Sequence, residues 1–206
     1  MNGFLRNLPI VAGCLGGSLV MLNHLLSAPA QQTRAEALGL LLAGILILVG
    51  LLQQQAQPLP SPEVQLTGKA LEWINPRFGR LEVSLALVRR LLLEQTATRS
   101  LLVWWQGEVV LRAGVFETEA PLKPGPIVER VLRTGKPVYL VDLRLFPGRI
   151  EFDYLPANLQ ALVCQPILDR GVLLAGSAAV RSFSNQELAC LALLAEHLGT
   201  RLEQGV

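Results

Sequence analysis

The sequence predicts an α+β protein in which a pair of apolar helices precedes a domain built on an antiparallel sheet. Two runs predict the helices, because residues 7–33 and 37–62 contain no Asp, Glu, Lys or Arg. A third observation predicts the sheet. From residue 79 onward the pattern runs helix, hairpin, helix, strand, hairpin, helix. An antiparallel sheet of about five strands with helices packed on one side satisfies this order.

Residues 1–55 are predicted to form a transmembrane hairpin, with spans at about 7–26 and 37–53. About 20 apolar residues, at 1.5 Å rise each, cross the ~30 Å hydrocarbon core of a bilayer. The short connection between the spans places both termini on the same side. We therefore expect an integral membrane protein in contact with the lipid bilayer.

The charges around the hairpin predict its orientation. Arg6 flanks one side, whereas Arg34 on the other side is partly offset by Glu36. This favours the cytoplasmic side for both termini and for the following domain. The run ending at Ala28–Ala30 also imitates a cleaved signal peptide. The run is long for a signal core and a second span follows at once, so we expect the hairpin to stay uncleaved.

Three residues of the first span are candidates for contacts. Gly13 and Gly17 are four residues apart and share one helix face, where the lack of a side chain lets a second helix approach closely. His24 lies at the end of the span and is a candidate haem contact. A histidine at that place is also explained as an interfacial polar group.

Residues 56–78 are predicted to be a Pro-rich linker, since proline and glutamine bury no core and proline keeps the chain extended. The sheet-containing domain then covers residues 79–206. Its predicted elements are a helix at 79–95, strands at 100–105 and 108–113, a helix at 126–134, strands at 137–143, 162–167 and 172–177, and a helix from 184.

Local signals support these elements. Pro126 suits the first position of a helix, and Gly135 suits the position just past its end. Ser184 and Glu187 have the spacing of a capping box. The strand at 137–143 is apolar on both faces, so we expect it to be central or well covered.

A polar block at residues 142–154 interrupts the pattern by alternating charges with aromatic and aliphatic groups. Its Phe146-Pro147-Gly148 sequence suits a type II turn. One interpretation is an internally salt-bridged loop that closes one end of the sheet. The other is a recognition surface for a protein or for an acidic cofactor such as haem propionates. The candidate binding residues are Asp142, Arg144, Arg149, Glu151, Asp153 and Tyr154.

Other function classes find little support in the sequence. Net charge is +2, and no Lys/Arg cluster with interleaved aromatics predicts nucleic-acid binding. No nucleotide loop, zinc motif or serine-hydrolase elbow is present, so we predict no catalytic residues and no metal site. The three cysteines are widely spaced, and Cys164, inside a predicted strand, is expected to be structural.

One long stretch carries a family resemblance. Residues 123–167 read KPGPIVERVLRTGKPVYLVDLRLFPGRIEFDYLPANLQALVCQPI, and the first span (LPIVAGCLGGSLVMLN) and TRSLLVWWQGEVVLRAG agree with it. In these stretches the chain resembles the cofactor assembly of complex C (CCB) family of cyanobacteria and chloroplasts. The element order of residues 79–206 also resembles the GAF arrangement.

The family resemblance implies a function. Its members assist covalent attachment of haem ci, also called cn, to cytochrome b6 during biogenesis of the cytochrome b6f complex. It implies a non-enzymatic assembly factor in a thylakoid membrane. Its partners would be apocytochrome b6, other haem-attachment factors, and a paralogue or a second copy as a dimer. No tightly bound cofactor is implied, although transient haem contact is. The chain starts directly at the first span without a transit peptide, which favours a cyanobacterial source.

The GAF resemblance implies an alternative, a membrane-tethered domain that senses or binds a small ligand. The two hypotheses differ in whether the purified protein retains a bound small molecule.

Overall fold

The computed structural model describes residues 3–26, 34–55, 62–118 and 120–205. The chain divides into two compact units, Met1–Leu59 and Pro60–Val206. The helices are α1 Gly3–Leu26, α2 Arg34–Gln55, α3 Glu82–Gln95, α4 Pro126–Thr134 and α5 Asn185–Gly205, and the strands are β1 Lys69–Ile74, β2 Thr98–Trp105, β3 Glu108–Phe116, β4 Val138–Leu140, β5 Ala161–Ile167 and β6 Gly171–Ser177.

In the first unit, α1 and α2 pack at glycines. A Cβ on Gly39 would lie 2.9 Å from Cγ2 of Val20, and one on Gly50 would lie 2.5 Å from Cγ1 of Ile10. These separations are shorter than real Cβ contacts, so a larger residue would require the neighbouring side chain to move. The two helices therefore approach each other closely at positions where glycine lacks a side chain.

The predicted transmembrane hairpin at 7–26 and 37–53 is corrected by the structure. Among residues 3–26, 34–55, 62–118 and 120–205, no helix combines the length and the apolar character that crossing a membrane requires. Polar residues bound the apolar runs, which number roughly 15 residues after Asn7 and 16 before Gln53 and so cover about 22–24 Å, less than the ~30 Å of a bilayer core. The predictions of an integral membrane protein, a thylakoid location and a cytoplasmic orientation are therefore wrong.

The second unit contains a six-stranded antiparallel sheet with the strand order β1-β3-β2-β6-β5-β4. The α+β class and the antiparallel sheet are thus confirmed, with one strand more than expected. The additional strand is β1, which lies inside the segment 56–78 predicted to be linker. Its six residues are mostly exposed, and this weak burial explains why the hydrophobic pattern did not reveal it.

Two hydrophobic cores cover opposite faces of the sheet, because successive strand residues point to opposite sides. On β2, Leu101, Val103 and Trp105 pack with α3 and α5. Leu102 and Trp104 of the same strand pack with α4 on the other face. The expectation that helices lie on one side only is therefore wrong.

The helix ends agree with the local signals. Gly135 follows α4 in a left-handed conformation with φ of 62°, and its N–H donates to the Val131 carbonyl at 2.9 Å. At the start of α5, the Ser184 N–H donates to Oε2 of Glu187, and the Glu187 N–H donates to Oγ of Ser184.

The strand predicted to be central is instead short and peripheral. Only Val138–Leu140 pairs, with β5, and β4 ends the sheet. Its apolar residues on both faces are half-buried because the 3-10 helices that follow β4 pack beside the sheet edge. A run that is apolar on both sides therefore indicated coverage by a loop rather than by neighbouring strands.

Candidate partner-binding surface

The polar block follows β4 and folds into two short 3-10 helices, Leu143–Leu145 and Pro147–Phe152. Asp142 begins the first of them, since its Oδ1 accepts a hydrogen bond from the Arg144 N–H at 3.1 Å. The predicted type II turn is absent at Gly148, whose φ is −82°. That turn needs a positive φ at this glycine, and the chain continues as a 3-10 helix instead.

Two aliphatic side chains of this segment project into solvent. Leu145 is 80% exposed and Ile150 is 85% exposed. Their neighbours Leu143 and Phe152 are buried in the core beneath α4. The segment therefore presents one apolar face to the core and a second apolar face outward. We call the exposed groups of residues 142–153 the 142–153 surface.

An ion pair flanks these side chains. The Arg144 guanidinium donates from Nε to Oδ1 of Asp142 at 3.0 Å and from Nη2 to Oδ2 at 2.9 Å. The hydrogen bond from Arg144 holds the pKa of Asp142 below its usual value, and Asp142 in turn raises the pKa of Arg144. The pair is bidentate and exposed, so it gives the surface a fixed polar edge.

Arg149 and Asp153 lie on the same segment. Arg149 is half-buried and Asp153 is exposed. Neither forms an ion pair with any residue in the part of the chain that the structure describes. Arg149 therefore contributes a positive charge, and Asp153 a negative charge, that are available to a second molecule.

Glu151 and Tyr154 point inward, in contrast to the prediction that they lie on a recognition surface. Oε2 of Glu151 accepts a hydrogen bond from the Ile127 N–H at 3.1 Å, and burial raises the pKa of this carboxyl. Tyr154 is buried beside Phe152, with ring centroids 6.3 Å apart, and burial raises its pKa. The segment uses these two residues to attach to the domain rather than to meet a partner.

The residues predicted in the first unit lie on or beside the helix pair. A Cβ on Gly13 would lie 2.7 Å from Cγ1 of Ile47, and one on Gly17 would lie 3.6 Å from the Cβ of Ala43. Both glycines thus face α2. The side chain of His24 lies outside the described residues, as do Ala28–Ala30, so the haem contact stays a prediction.

The described residues contain no group of three or more His, Cys, Asp or Glu that could hold a metal ion. Cys164 lies on β5, fully buried, and its pKa is raised chiefly by burial. A thiol with a raised pKa is a poor nucleophile, because the thiolate is the reactive form.

Sequence reasoning missed Leu145 and Ile150. Both stand between charged residues, and this position was the available signal. The sequence does not tell which aliphatic groups of the segment point inward, because a 3-10 helix of three to six residues shows neither the 3.6-residue nor the two-residue period.

These features define the class of protein, an α+β domain with an antiparallel sheet, preceded by a helical pair and carrying an exposed aliphatic and charged segment. The family follows from sequence comparison. The sequence model of the CCB2/CCB4 family, described as cofactor assembly of complex C, matches residues 8–198, and the chain belongs to this family.

Two relatives from Arabidopsis thaliana are similar over most of this chain. It is 28% identical to CCB4, a chloroplastic protein named for cofactor assembly of complex C, with 98% of this chain and 74% of the relative covered. It is 27% identical to CCB2, a chloroplastic protein with the same designation, with 87% of this chain and 73% of the relative covered.

Among solved structures, a GAF domain region from Geobacter sulfurreducens PCA is similar with a TM-score of 0.47 and 13% identity. The alignment covers 63% of this chain and 99% of that domain. Likeness at this level does not bear on function.

Proposed function

We propose that this chain assists the covalent attachment of haem ci to cytochrome b6 during assembly of the cytochrome b6f complex. The observation that carries the proposal is the family match over residues 8–198. The similar Arabidopsis proteins are named for cofactor assembly of complex C, and they are covered over 74% and 73% of their lengths. An assembly role is therefore proposed for the whole chain rather than for one module.

The 142–153 surface is where we propose that the chain binds apocytochrome b6 or another haem-attachment factor. Leu145 and Ile150 expose apolar area that contributes little to folding, whereas burying such a side chain at an interface contributes about 1.5–3 kcal/mol at most. Arg149 and Asp153 offer charges of both signs beside this area. Central apolar anchors with a charged rim are typical of protein interfaces.

We propose a non-catalytic role at this surface. Its groups are aliphatic side chains and an arginine held in a bidentate pair with Asp142. Such groups bind and orient a partner, whereas proton transfer needs a group whose pKa lies near the working pH. Haem is cargo in this scheme, and transient contact with it, including contact by His24, is part of the proposal.

The test uses the organism that carries this chain, after deletion of its gene and of any paralogue from the same family. Covalent haem on cytochrome b6 is measured by in-gel peroxidase staining after denaturation has removed non-covalent haem. We expect the stain to disappear on deletion and to return with the intact gene. An unchanged stain after deletion would contradict haem attachment as the function.

The surface is tested by complementation with the double variant Leu145→Ser/Ile150→Ser. The matched control is Val83→Ser on α3, since Val83 is 84% exposed but lies outside the 142–153 surface. We expect the double variant to accumulate normally and to lower the stain about tenfold, as loss of about 1.4 kcal/mol of binding would. The control should restore the stain fully. Full restoration by the double variant would remove the surface from the proposal and leave the assembly role standing.

A further inference from the structure

The outer edge of β1 is unpaired. β1 ends the sheet and pairs only with β3, in the register that places Trp73 opposite Arg112. The Asn75 N–H donates to the Val110 carbonyl at 2.9 Å, so residues of odd number direct their main-chain groups toward β3. Because the direction alternates along a strand, Ala70 and Glu72 direct their N–H and C=O groups outward.

The side chains of β1 alternate in the same way. Lys69, Leu71 and Trp73 share the α4 face of the sheet, and Trp73 is 40% exposed. A hollow of about 300 Å³ adjoins Trp73, and Glu108 and Val109 line it as well. An exposed tryptophan beside an acidic hollow on a free edge is a place where a second strand could be received.

We infer that β1 pairs with β1 of a second copy of this chain, antiparallel about a two-fold axis, with Leu71 opposite Leu71. In this register Ala70 lies opposite Glu72 of the second copy, and these two residues exchange both of their main-chain hydrogen bonds. Both carry outward-directed groups, so the register uses the groups that β3 leaves unpaired. Each contact occurs twice, as two-fold symmetry requires.

The side chains favour this register over its neighbours. Lys69 falls opposite Trp73 of the second copy, where its ammonium lies over the indole and faces the hollow that contains Glu108. A shift by two residues in one direction places Glu72 opposite Glu72, and like charges directly opposite are unfavourable. A shift in the other direction removes Lys69 from Trp73. The sequence Lys-Ala-Leu-Glu-Trp-Ile is therefore self-complementary in one register.

The first test is disulfide trapping in the full chain with Cys14 and Cys190 replaced by serine. Leu71→Cys places two thiols on the axis in a non-hydrogen-bonded pair, where Cα atoms are ~4.5 Å apart and a disulfide can form. Lys69→Cys is the matched control, because its two copies lie four residues apart along the strands, or ~13 Å. We expect mild oxidation to give a cross-linked dimer with Leu71→Cys and little with Lys69→Cys. Equal cross-linking of both variants would overturn the proposed register.

The second test is the mass of the full chain by light scattering over a concentration series. We expect the mass to rise from 22.4 kDa toward twice that value. Ala70→Pro removes an outward N–H and leaves the bonds to β3 in place, so it should keep the mass at that of one chain. Ala70→Ser, which keeps the N–H, should behave as wild type. A mass that Ala70→Pro leaves unchanged, with thermal unfolding preserved, would show that β1 is not the interface. This proposal is independent of the haem-attachment role.

Discussion

The carboxylate of Glu151 accepts a hydrogen bond from the backbone N–H of Ile127 at 3.1 Å and so connects the 142–153 surface to the first turn of α4. The first N–H groups of a helix have no partner within the helix, and a carboxylate satisfies one of them. Gly125 makes room for this contact, since a Cβ at that position would collide with Oε2 of Glu151. The exposed segment is therefore held from beneath by a buried charge.

The first prediction concerns the pH dependence of this contact. Burial raises the pKa of Glu151, with Glu129 adding to the rise and the Ile127 N–H opposing it. A raised pKa in the folded state means that Glu151 stabilises the fold when protonated, and that this stabilisation is lost as pH rises through the folded pKa. We expect Glu151→Gln to become more stable relative to wild type as pH rises above 4.5.

The measurement for Glu151 is the free energy of urea unfolding across a pH series. Glu196→Gln on α5 removes one exposed negative charge and serves as the control. A difference between Glu151→Gln and wild type that stays constant with pH would contradict the buried-carboxylate account.

The second prediction has the opposite sign. The hydrogen bond from Arg144 lowers the pKa of Asp142. Its stabilising contribution is present above 3.8, the ordinary value, and is lost as pH falls through the lower folded pKa. We expect Asp142→Asn to lose less stability than wild type on acidification below 3.8. The effect is small because the pair is exposed. Urea midpoints for wild type and variant that fall in parallel on acidification would refute it.

The third prediction concerns Gly114, which lies in β3 with a φ of 101°. A Cβ there would collide with the backbone carbonyl of Arg99, which cannot move aside as a flexible side chain can. We expect Gly114→Ala to lower the free energy of unfolding by about 3 kcal/mol. Gly79→Ala is the control, since no atom lies within 4 Å of its Cβ, and it should change stability by less than about 1 kcal/mol. Similar unfolding free energies for both variants would be inconsistent with this geometry.

The fourth prediction ranks the two residues of the α5 capping box. Oε2 of Glu187 accepts from the Ser184 N–H, and Oε1 accepts from the Ala97 N–H at 2.8 Å, just before β2. Ser184 makes only the local part of this arrangement. We expect Ser184→Ala to cost about 1 kcal/mol of unfolding free energy and Glu187→Ala to cost about twice as much. Thermal unfolding of both variants provides the comparison. An equal loss would indicate that the Ala97 contact contributes nothing.

Local sequence signals predicted several elements correctly. Both hairpins, α4 with Gly135 after its end, and the capping box of α5 depend on residues within a few positions of one another. The candidate segment at 142–154 was also located from sequence, because its alternating charges departed from the surrounding pattern. Within it the orientation of Glu151 and Tyr154 was not predicted, since it depends on α4 and β5 across the domain.

The sequence alone determined the α+β class, most strand and helix positions and the family, because these follow from periodicity, capping residues and a long shared stretch. Only the tertiary structure decided that helices cover both faces of the sheet, that β1 belongs to it, and that Leu145 and Ile150 are exposed while Leu143 and Phe152 are buried. These features depend on contacts between residues far apart in the chain, where a side chain of given hydrophobicity is buried or exposed according to what packs against it.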